Sequence, residues 1–378
     1  MKKIKILYGL EASGGGALKH LVYLVTHLNR EIFDITIILS NKRNENISEE
    51  VYRMKLAGAK LEIIPMKRGI IPISDLVSFI KIYLFVRNKN FDIVHAHSSK
   101  AGALFRFVSW ICHVPTVLYT PHCFYFQGKN GLKKNIFLLL EKLLSKLTTG
   151  IILSENEKEQ AIKHQIIDTS KLYNINNAID FNEYKLYDDK EALKSEFKIP
   201  NDSLIIGAIG RLEEQKGWDR FFEIAFEILE INIQTCFIIA GDGELKNDLA
   251  KRIPYKYTDK FKFLGFVKDI NKVYIISDAI FSTSIYEGLP YVYIEAITLN
   301  KKLITTCYIK DLEEFRNKEY FPINGNTSRD IALELLKVIN LPSYPNEENI
   351  VLEDKFLDMA LFIKKHQDLY LKMYHNIF

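Results

Sequence analysis

Cysteine is scarce and scattered. The four present, Cys112, Cys123, Cys236 and Cys307, show no C-x-x-C or zinc-type spacing, which excludes a disulfide framework and a structural metal and fits reduced thiols in a cytoplasm-like compartment. No uninterrupted apolar run reaches the roughly 18 residues that a membrane-spanning helix needs. The apolar start at Ile4 is broken by Lys5 and soon meets Glu11, so it reads as a first strand and not as a signal peptide. There is no Gly/Ser/Pro-rich tract, and no repeat with a period of about 20 to 50 residues, which excludes disordered chains, solenoids and propellers.

What is present is the composition of a folded protein, 48% hydrophobic and 26% charged. At 378 residues it is long enough for two domains that each bury a core. The net charge of +4 conceals an asymmetry: residues 1–180 carry 25 Lys+Arg against 15 Asp+Glu, and residues 181–378 carry 26 against 32. A basic first half suits an anionic membrane surface, a phosphorylated substrate or nucleic acid, and charge alone does not choose among them.

Short β-branched and aromatic runs alternate with segments of helical period, the pattern of βαβ units around a parallel sheet. The first half offers strands at Ile4–Tyr8, Asp34–Leu39, Leu61–Ile64, Asp92–His95, Thr116–Tyr119, Ile151–Leu153 and Leu172–Ile175. The second offers Leu204–Ile209, Gln234–Ala240, Phe261–Leu264, Ala279–Ser282, Lys302–Thr305 and Tyr320–Ile323. Residues 180–200 are charged and lack a sustained apolar period, which marks a linker. The expected organisation is α/β, with two Rossmann-like doubly wound domains at 1–185 and 186–355 facing a central cleft. A helix from about 356 to 378 would pack back on the first domain. Such sheets bind ligands beyond the carboxyl ends of their strands.

Three constellations carry chemistry. Ser13-Gly14-Gly15-Gly16 joins the first strand to a helix, a context that cradles phosphate but equally serves as a plain turn. The second strand ends in Leu39-Ser40-Asn41 without the acid that a nicotinamide dinucleotide's ribose requires. Arg211 and Lys216 follow a strand end five residues apart, a guanidinium and an ammonium suited to a departing diphosphate; taken alone, they are equally solvated surface cations. Glu287-Gly288-Leu289-Pro290 leads into an apolar helix containing Glu295. Eight residues of helix rise about 12 Å, so Glu287 and Glu295 could each hold one sugar, unless Glu295 is held in a structural ion pair.

Together these segments resemble the retaining glycosyltransferases of family 4, of GT-B architecture, over essentially the whole chain. The ordered motifs are Gly15-Gly16, Asp92-Ile93-Val94-His95-Ala96-His97, Tyr119-Thr120-Pro121-His122, Asn177-Ala178-Ile179-Asp180, Gly210-Arg211 with Lys216-Gly217, Ala240-Gly241-Asp242-Gly243, Leu264-Gly265-Phe266 and Glu287-Gly288-Leu289-Pro290 with Glu295. The resemblance implies that Arg211 and Lys216 bind the donor diphosphate and that Glu295 holds the ribose. Glu287 with Gly288, Leu289 and Pro290 would hold the transferred sugar and phosphate, with Gly15, Gly16 and Phe266 in the donor site and His122 at the sugar or reacting centre. Without the resemblance His122 reads as an ordinary core or loop histidine. Leu18, Ala178 and Tyr308-Ile309-Lys310-Asp311 depart from the family pattern, and none removes a diphosphate ligand.

The implied reaction needs no cofactor and no divalent metal, in keeping with the absence of an Asp-x-Asp motif. The expected donor is a nucleotide sugar, with UDP the family's commonest nucleotide. The expected acceptor is a saccharide, lipid-linked through polyprenyl diphosphate, at the inner face of the cytoplasmic membrane. His97-Ser98-Ser99-Lys100-Ala101-Gly102 resembles a segment of bacterial surface-polysaccharide transferases such as those of O-antigen or capsule. A basic amphipathic helix at 132–147 carries the stripe Ile136, Leu139, Leu140, Leu143, Leu144 and Leu147, which either enters the core or meets an anionic bilayer. Lys67-Arg68-Gly69-Ile70-Ile71-Pro72 opens a second such helix. The alternatives are a nucleotide-sugar epimerase on the same fold and, further off, a dehydrogenase; no nucleic-acid-binding motif is present.

Overall fold

The computed structural model describes residues 2–42, 47–67, 69, 71–184, 189–342 and 358–376. These fall into two compact units, one of residues 1–177 and 359–378, the other of residues 178–358.

The first unit runs β1 (Ile4–Leu10), α1 (Gly15–His27), β2 (Phe33–Leu39), α2 (Ser48–Leu56), β3 (Lys60–Ile63), α3 (Pro72–Val86), β4 (Ile93–His97), α4 (Ser99–Ile111), β5 (Thr116–Thr120), α5 (Gly131–Ser145), β6 (Gly150–Leu153), α6 (Glu155–Lys163) and β7 (Leu172–Asn174). Its seven strands are all parallel, in the order β3-β2-β1-β4-β5-β6-β7. The inner strands are buried along both faces because helices cover both, as in a doubly wound sheet, whereas the edge strand β3, Lys-Leu-Glu-Ile, is largely exposed. β4 and β5 are buried at every position.

The second unit runs α7 (Lys190–Glu196), β8 (Leu204–Ile209), α8 (Trp218–Ile231), β9 (Thr235–Ala240), α9 (Lys246–Lys251), β10 (Phe261–Gly265), α10 (Asn271–Ile276), β11 (Ala279–Ser282), α11 (Tyr291–Thr298), β12 (Lys302–Thr305), β13 (Tyr320–Pro322) and α12 (Ser328–Ile339). Its six parallel strands have the order β10-β9-β8-β11-β12-β13, so each sheet starts at its centre and reverses direction once. Every strand read from the sequence is present, with ends shifted by at most two residues.

Helix α13 (Met359–His375) belongs to the first unit, where Tyr370 Oη meets Tyr8 Oη at 3.1 Å and His95 Nδ1 at 2.8 Å. The helix expected over 356–378 is shorter: Asp358 forms a parallel bridge with Ile179 and Asn376 lies in a turn, while residues 356, 357, 377 and 378 lie outside the described residues. The boundary between units falls after Asn177 and not at 185. Residues that looked like a linker pack on the second unit: Leu193 and Ile199 enter a core cluster with Ile205 and Cys236, and the Glu183 carbonyl accepts from Asn271 Nδ2.

Of the two dispositions open to the apolar stripe at 132–147, the helix adopts the outward one. In α5 the buried positions are Glu141 and Ser145, with Phe137 and Leu138 leaning on the core. Ile136, Leu139, Leu140 and Leu143 of the apolar stripe face solvent. The cause is Arg106 on α4, whose wholly buried guanidinium needs a counter-charge and takes Glu141 at 2.9 Å.

Candidate functional site

In the second unit the loops after β8 and β11 are tied together. Thr283 Oγ1 donates to the carbonyls of Lys216 (3.2 Å) and Gly217 (2.9 Å), the Ile285 N–H donates to the Gln215 carbonyl (2.9 Å), and Gln215 Nε2 donates to the Tyr286 carbonyl (3.2 Å). Gly217 allows this approach. Its φ of +65° is left-handed, and a Cβ there would sit 2.1 Å from the Thr283 carbonyl oxygen. Gly241, at φ +143°, brings the loop after β9 against the Gly210 carbonyl in the same way. Trp218 Nε1 holds the Arg211 carbonyl at 2.9 Å.

On this frame the two cations are neither free nor plainly solvated. Lys216 Nζ lies 2.5 Å from Glu287 Oε1, with both side chains largely buried, and Arg211 pairs with Glu213 at 3.1 Å. Burial, and then the Glu287 charge, push the Cys307 thiol up to about 12, so it stays protonated and unreactive. No local pattern around Cys307 places it here.

Glu287 does not share a helix with Glu295. Pro290, with extended backbone, is the N-cap of α11, and the helix starts at Tyr291, so the expected 12 Å helical span between the two carboxylates does not apply. Gly288, Leu289 and Pro290 form the turn ahead of the helix N-terminus, where the helix dipole favours an anion. Glu295 is buried and accepts from Tyr274 Oη (2.6 Å) and Tyr184 Oη (3.0 Å). Two phenols thus orient this carboxylate. Burial and the Glu295 charge raise Tyr274 well above the ordinary phenol range, so it remains a donor. Phe266 follows Gly265 at the carboxyl end of β10 and is 73% exposed, which leaves its ring open for stacking.

The remaining candidates lie in the first unit. Gly15 and Gly16 open α1, with Gly14 as N-cap. Beside them is a cluster that sequence reading missed. His97 Nδ1 and His122 Nε2 are 3.1 Å apart, and the His20 ring contacts both rings, with centroids at 5.4 and 4.9 Å. His20 Nδ1 donates to Asn177 Oδ1 at 2.8 Å. His95 uses both nitrogens, on Tyr370 Oη and Thr120 Oγ1, and His366 packs on Phe362 and His20. His95 and His97 were visible in one local motif and His122 in another; His20 and His366 come from distant segments.

Burial pushes His20 down to about 4 and His366 to about 3. The rings of His95, His97 and His122 also sit well below the usual imidazole range, from burial first and then from their neighbours. The unfolded chain therefore binds protons below about pH 6.5 that the folded chain refuses. The stability from the neutral rings is complete above that pH and is lost as pH falls toward the depressed values. Each such group contributes a slope of up to about 1.4 kcal/mol per pH unit. Thermal unfolding in chelator-containing buffer should show Tm dropping from pH 7 to pH 5, with protons taken up on unfolding; a flat profile would contradict the burial.

The sequence matches two family models in tandem: Glycosyltransferase Family 4 over residues 14–183 and Glycosyl transferases group 1 over residues 189–350. It is 31% identical to the UDP-Gal:alpha-D-GlcNAc-diphosphoundecaprenol alpha-1,3-galactosyltransferase of Escherichia coli, over 82% of each chain. It is 28% identical to the capsular polysaccharide biosynthesis glycosyltransferase CapM of Staphylococcus aureus, over 74% of this chain and 75% of that one. The fold matches that of Anabaena Alr3699/HepE, solved in complex with UDP and glucose, with a TM-score of 0.71 at 18% identity, over 99% of this chain and 98% of that one. With paired Rossmann-like sheets, both family models in order, and these relatives, the chain belongs to the family 4 glycosyltransferases and has the GT-B fold.

Proposed function

We propose that this glycosyltransferase moves a hexose or N-acetylhexosamine from a UDP-sugar, with retention at the anomeric carbon, to a polyprenyl-diphosphate-linked saccharide during surface-polysaccharide synthesis. The observation that carries the donor half is the tied pair of loops presenting Arg211 and Lys216, each held by a carboxylate. A diphosphate entering there would compete with Glu213 and Glu287 for the cations. Glu287, freed from Lys216, would then accept a hydroxyl of the transferred sugar, and Glu295, oriented by Tyr274 and Tyr184, would accept from the ribose.

In the reaction, the bond between the anomeric carbon and the phosphate oxygen breaks while the acceptor hydroxyl bonds to that carbon on the same face. The hydroxyl proton passes to the departing phosphate. The charge that develops on the diphosphate is met by Arg211, Lys216 and the N-terminus of α11, which is why we assign no divalent metal to this step. His122 would contact the sugar. The choice of UDP, of retention and of a lipid-linked acceptor draws support from the E. coli relative, whose name specifies UDP-Gal and a diphosphoundecaprenol acceptor. A panel of nucleotide sugars offered with and without a polyprenyl-diphosphate N-acetylhexosamine, followed by NMR, tests it. The expected result is slow donor hydrolysis that becomes transfer with an α-configured product; donor epimerised without acceptor would instead favour the epimerase.

The acceptor half rests on the outward stripe of α5. α4 touches both α3 and α5, and the three helices expose Ile73, Leu76, Ile80, Phe107, Trp110 and Leu139, among others. Exposed Lys67, Lys81, Arg87, Lys133 and Lys146 accompany this apolar surface; Arg68 and Ile70 of the basic segment at 67–72 lie outside the described residues. Apolar area and cations together fit an anionic bilayer surface. Among the described residues no helix is long and apolar enough to cross a membrane. The chain should float with vesicles containing anionic lipid at low salt, and Ile136→Glu with Leu139→Glu should abolish flotation while leaving the fold intact. A wild-type chain that stays at the bottom of the gradient would remove membrane docking.

A further inference from the structure

The histidine cluster of the first unit has ligand chemistry that sugar transfer does not use. One ring nitrogen from each of His20, His97 and His122 lies within 4.8 Å of those of the other two. They come from three elements: His20 from the buried face of α1, His97 from the carboxyl end of β4, and His122 from the turn after β5. Both His20 Nε2 and His97 Nε2 are buried and have no hydrogen-bond partner in the protein. An unsatisfied buried nitrogen is costly and rare, and the one on His20, whose other nitrogen is engaged by Asn177, points to a missing electron-pair acceptor.

Geometry identifies that acceptor. His20 is held as a metal-binding histidine is held, with Nδ1–H donated to a carbonyl-type oxygen, Asn177 Oδ1, at 2.8 Å. This fixes the tautomer and leaves the Nε2 lone pair free. His97 Nδ1 and His122 Nε2 face each other at 3.1 Å with one proton between them. Zinc–imidazole bonds of about 2.0–2.1 Å at tetrahedral angles place nitrogens about 3.3 Å apart, so this pair is already at chelating distance. Closing the third side needs a shift of about 1.5 Å. His122 is the ring placed to make it, since it and Cys123 both lie in a turn at positive φ (50° and 79°), whereas His20 and His97 are fixed in a helix and a strand.

We propose that His20, His97 and His122 form a binding site for a divalent transition-metal ion of the zinc class, with a fourth position left to water. Three imidazole nitrogens select such an ion over magnesium or calcium, which prefer oxygen. The metal takes the lone pairs of both facing nitrogens, and the proton between His97 and His122 moves to the other nitrogen of its own ring, so each ligand stays a neutral imidazole. The site's ligands belong to the first unit and the cations assigned to the diphosphate to the second, and the metal takes no part in transfer. Its consequence, which rests on the reading that His122 contacts the sugar, is inhibition: a metal-bound His122 is withdrawn from that contact.

The test uses the full, untagged chain and Zn²⁺ or Co²⁺ alone. Competition against a chromophoric chelator should show one Zn²⁺ per chain, and Co²⁺ should give the visible spectrum of a tetrahedral nitrogen site. His20→Ala and His122→Ala should abolish both signals. Asn177→Ala, which only releases the second nitrogen of His20, should weaken binding by about 10- to 100-fold, and it keeps the test open if a histidine variant fails to fold. The exposed His375→Ala should leave binding unchanged. No stoichiometric binding, or binding that survives both His20→Ala and His122→Ala, overturns the site. Zinc should also slow transfer, with recovery on chelation. Zinc bound through these residues without loss of transfer would uphold the metal site and overturn the inhibition and the sugar contact of His122.

Discussion

Neutralising Arg211 and Lys216 together, as Arg211→Gln and Lys216→Gln, should reduce kcat by at least about 10³-fold, because each preorganised group facing developing charge is worth about 10² to 10³. The single variants should not multiply. Lys216 is tied to Glu287 at 2.5 Å, so removing it also takes the cation from a buried carboxylate assigned to the sugar, and part of the loss will come from Glu287 misplacement. Glu287→Gln in the Lys216→Gln background separates the two effects. If the loss is electrostatic loss at the diphosphate, the double variant stays as slow as Lys216→Gln. If it is the stranded carboxylate, activity returns. Initial rates with saturating donor and acceptor, together with thermal unfolding of each variant, make the measurement.

The second large effect concerns stability. Arg106 is wholly buried, donates through Nε to the Gly102 carbonyl (2.8 Å), pairs with Glu141 at 2.9 Å and stacks its guanidinium 3.9 Å over the Tyr119 ring. Tyr119 Oη also donates to Glu141 at 3.2 Å. Arg106→Met strands that carboxylate and should cost about 3–5 kcal/mol, a drop in Tm on the order of 10 °C for a unit of this size. Adding Glu141→Leu should restore most of it, since an apolar pair of similar volume avoids the desolvation of both ions. Chemical denaturation of the two single variants and the double variant closes the cycle. A single variant within about 1 kcal/mol of wild type would mean that the pair is solvated after all. The same pair fixes which way α5 faces, so the double variant also tests whether the outward apolar stripe depends on it.

That stripe shows where the sequence was readable and where it was not. The strands were legible because a central parallel strand covered on both faces must be apolar throughout, as in Ile35, Ile37, Ile38 and Leu39 of β2. The helical period of α5 was legible too, but period alone says which residues share a face and not which face points inward. That is decided by Arg106 on another helix, a contact across 35 positions. Glycines 217 and 241 stood out as motif members, and their reason is a close backbone approach that only a folded chain displays. Glu287 and Glu295 were both found, but their relation was misread because Pro290 caps the helix between them. Tyr184, next to a charged stretch, gave no local sign that it serves as a hydrogen-bond donor to Glu295. The histidine cluster escaped for the plainest reason: the turn of a sheet gathers α1, β4, the loop after β5 and α13, and no local spacing encodes that.

The account turns on recognition of a diphosphate by two side chains, and the most direct measurement is isothermal titration of UDP and UMP into the wild type and into the Arg211→Gln, Lys216→Gln double variant. The two nucleotides share base and ribose and differ by one phosphate. Wild type should prefer UDP, with charge-assisted contacts of about 1.5–3 kcal/mol each, and the double variant should bind both nucleotides with nearly the affinity that wild type shows for UMP. Equal affinity of wild type for UDP and UMP, or a preference that survives the double substitution, would contradict it.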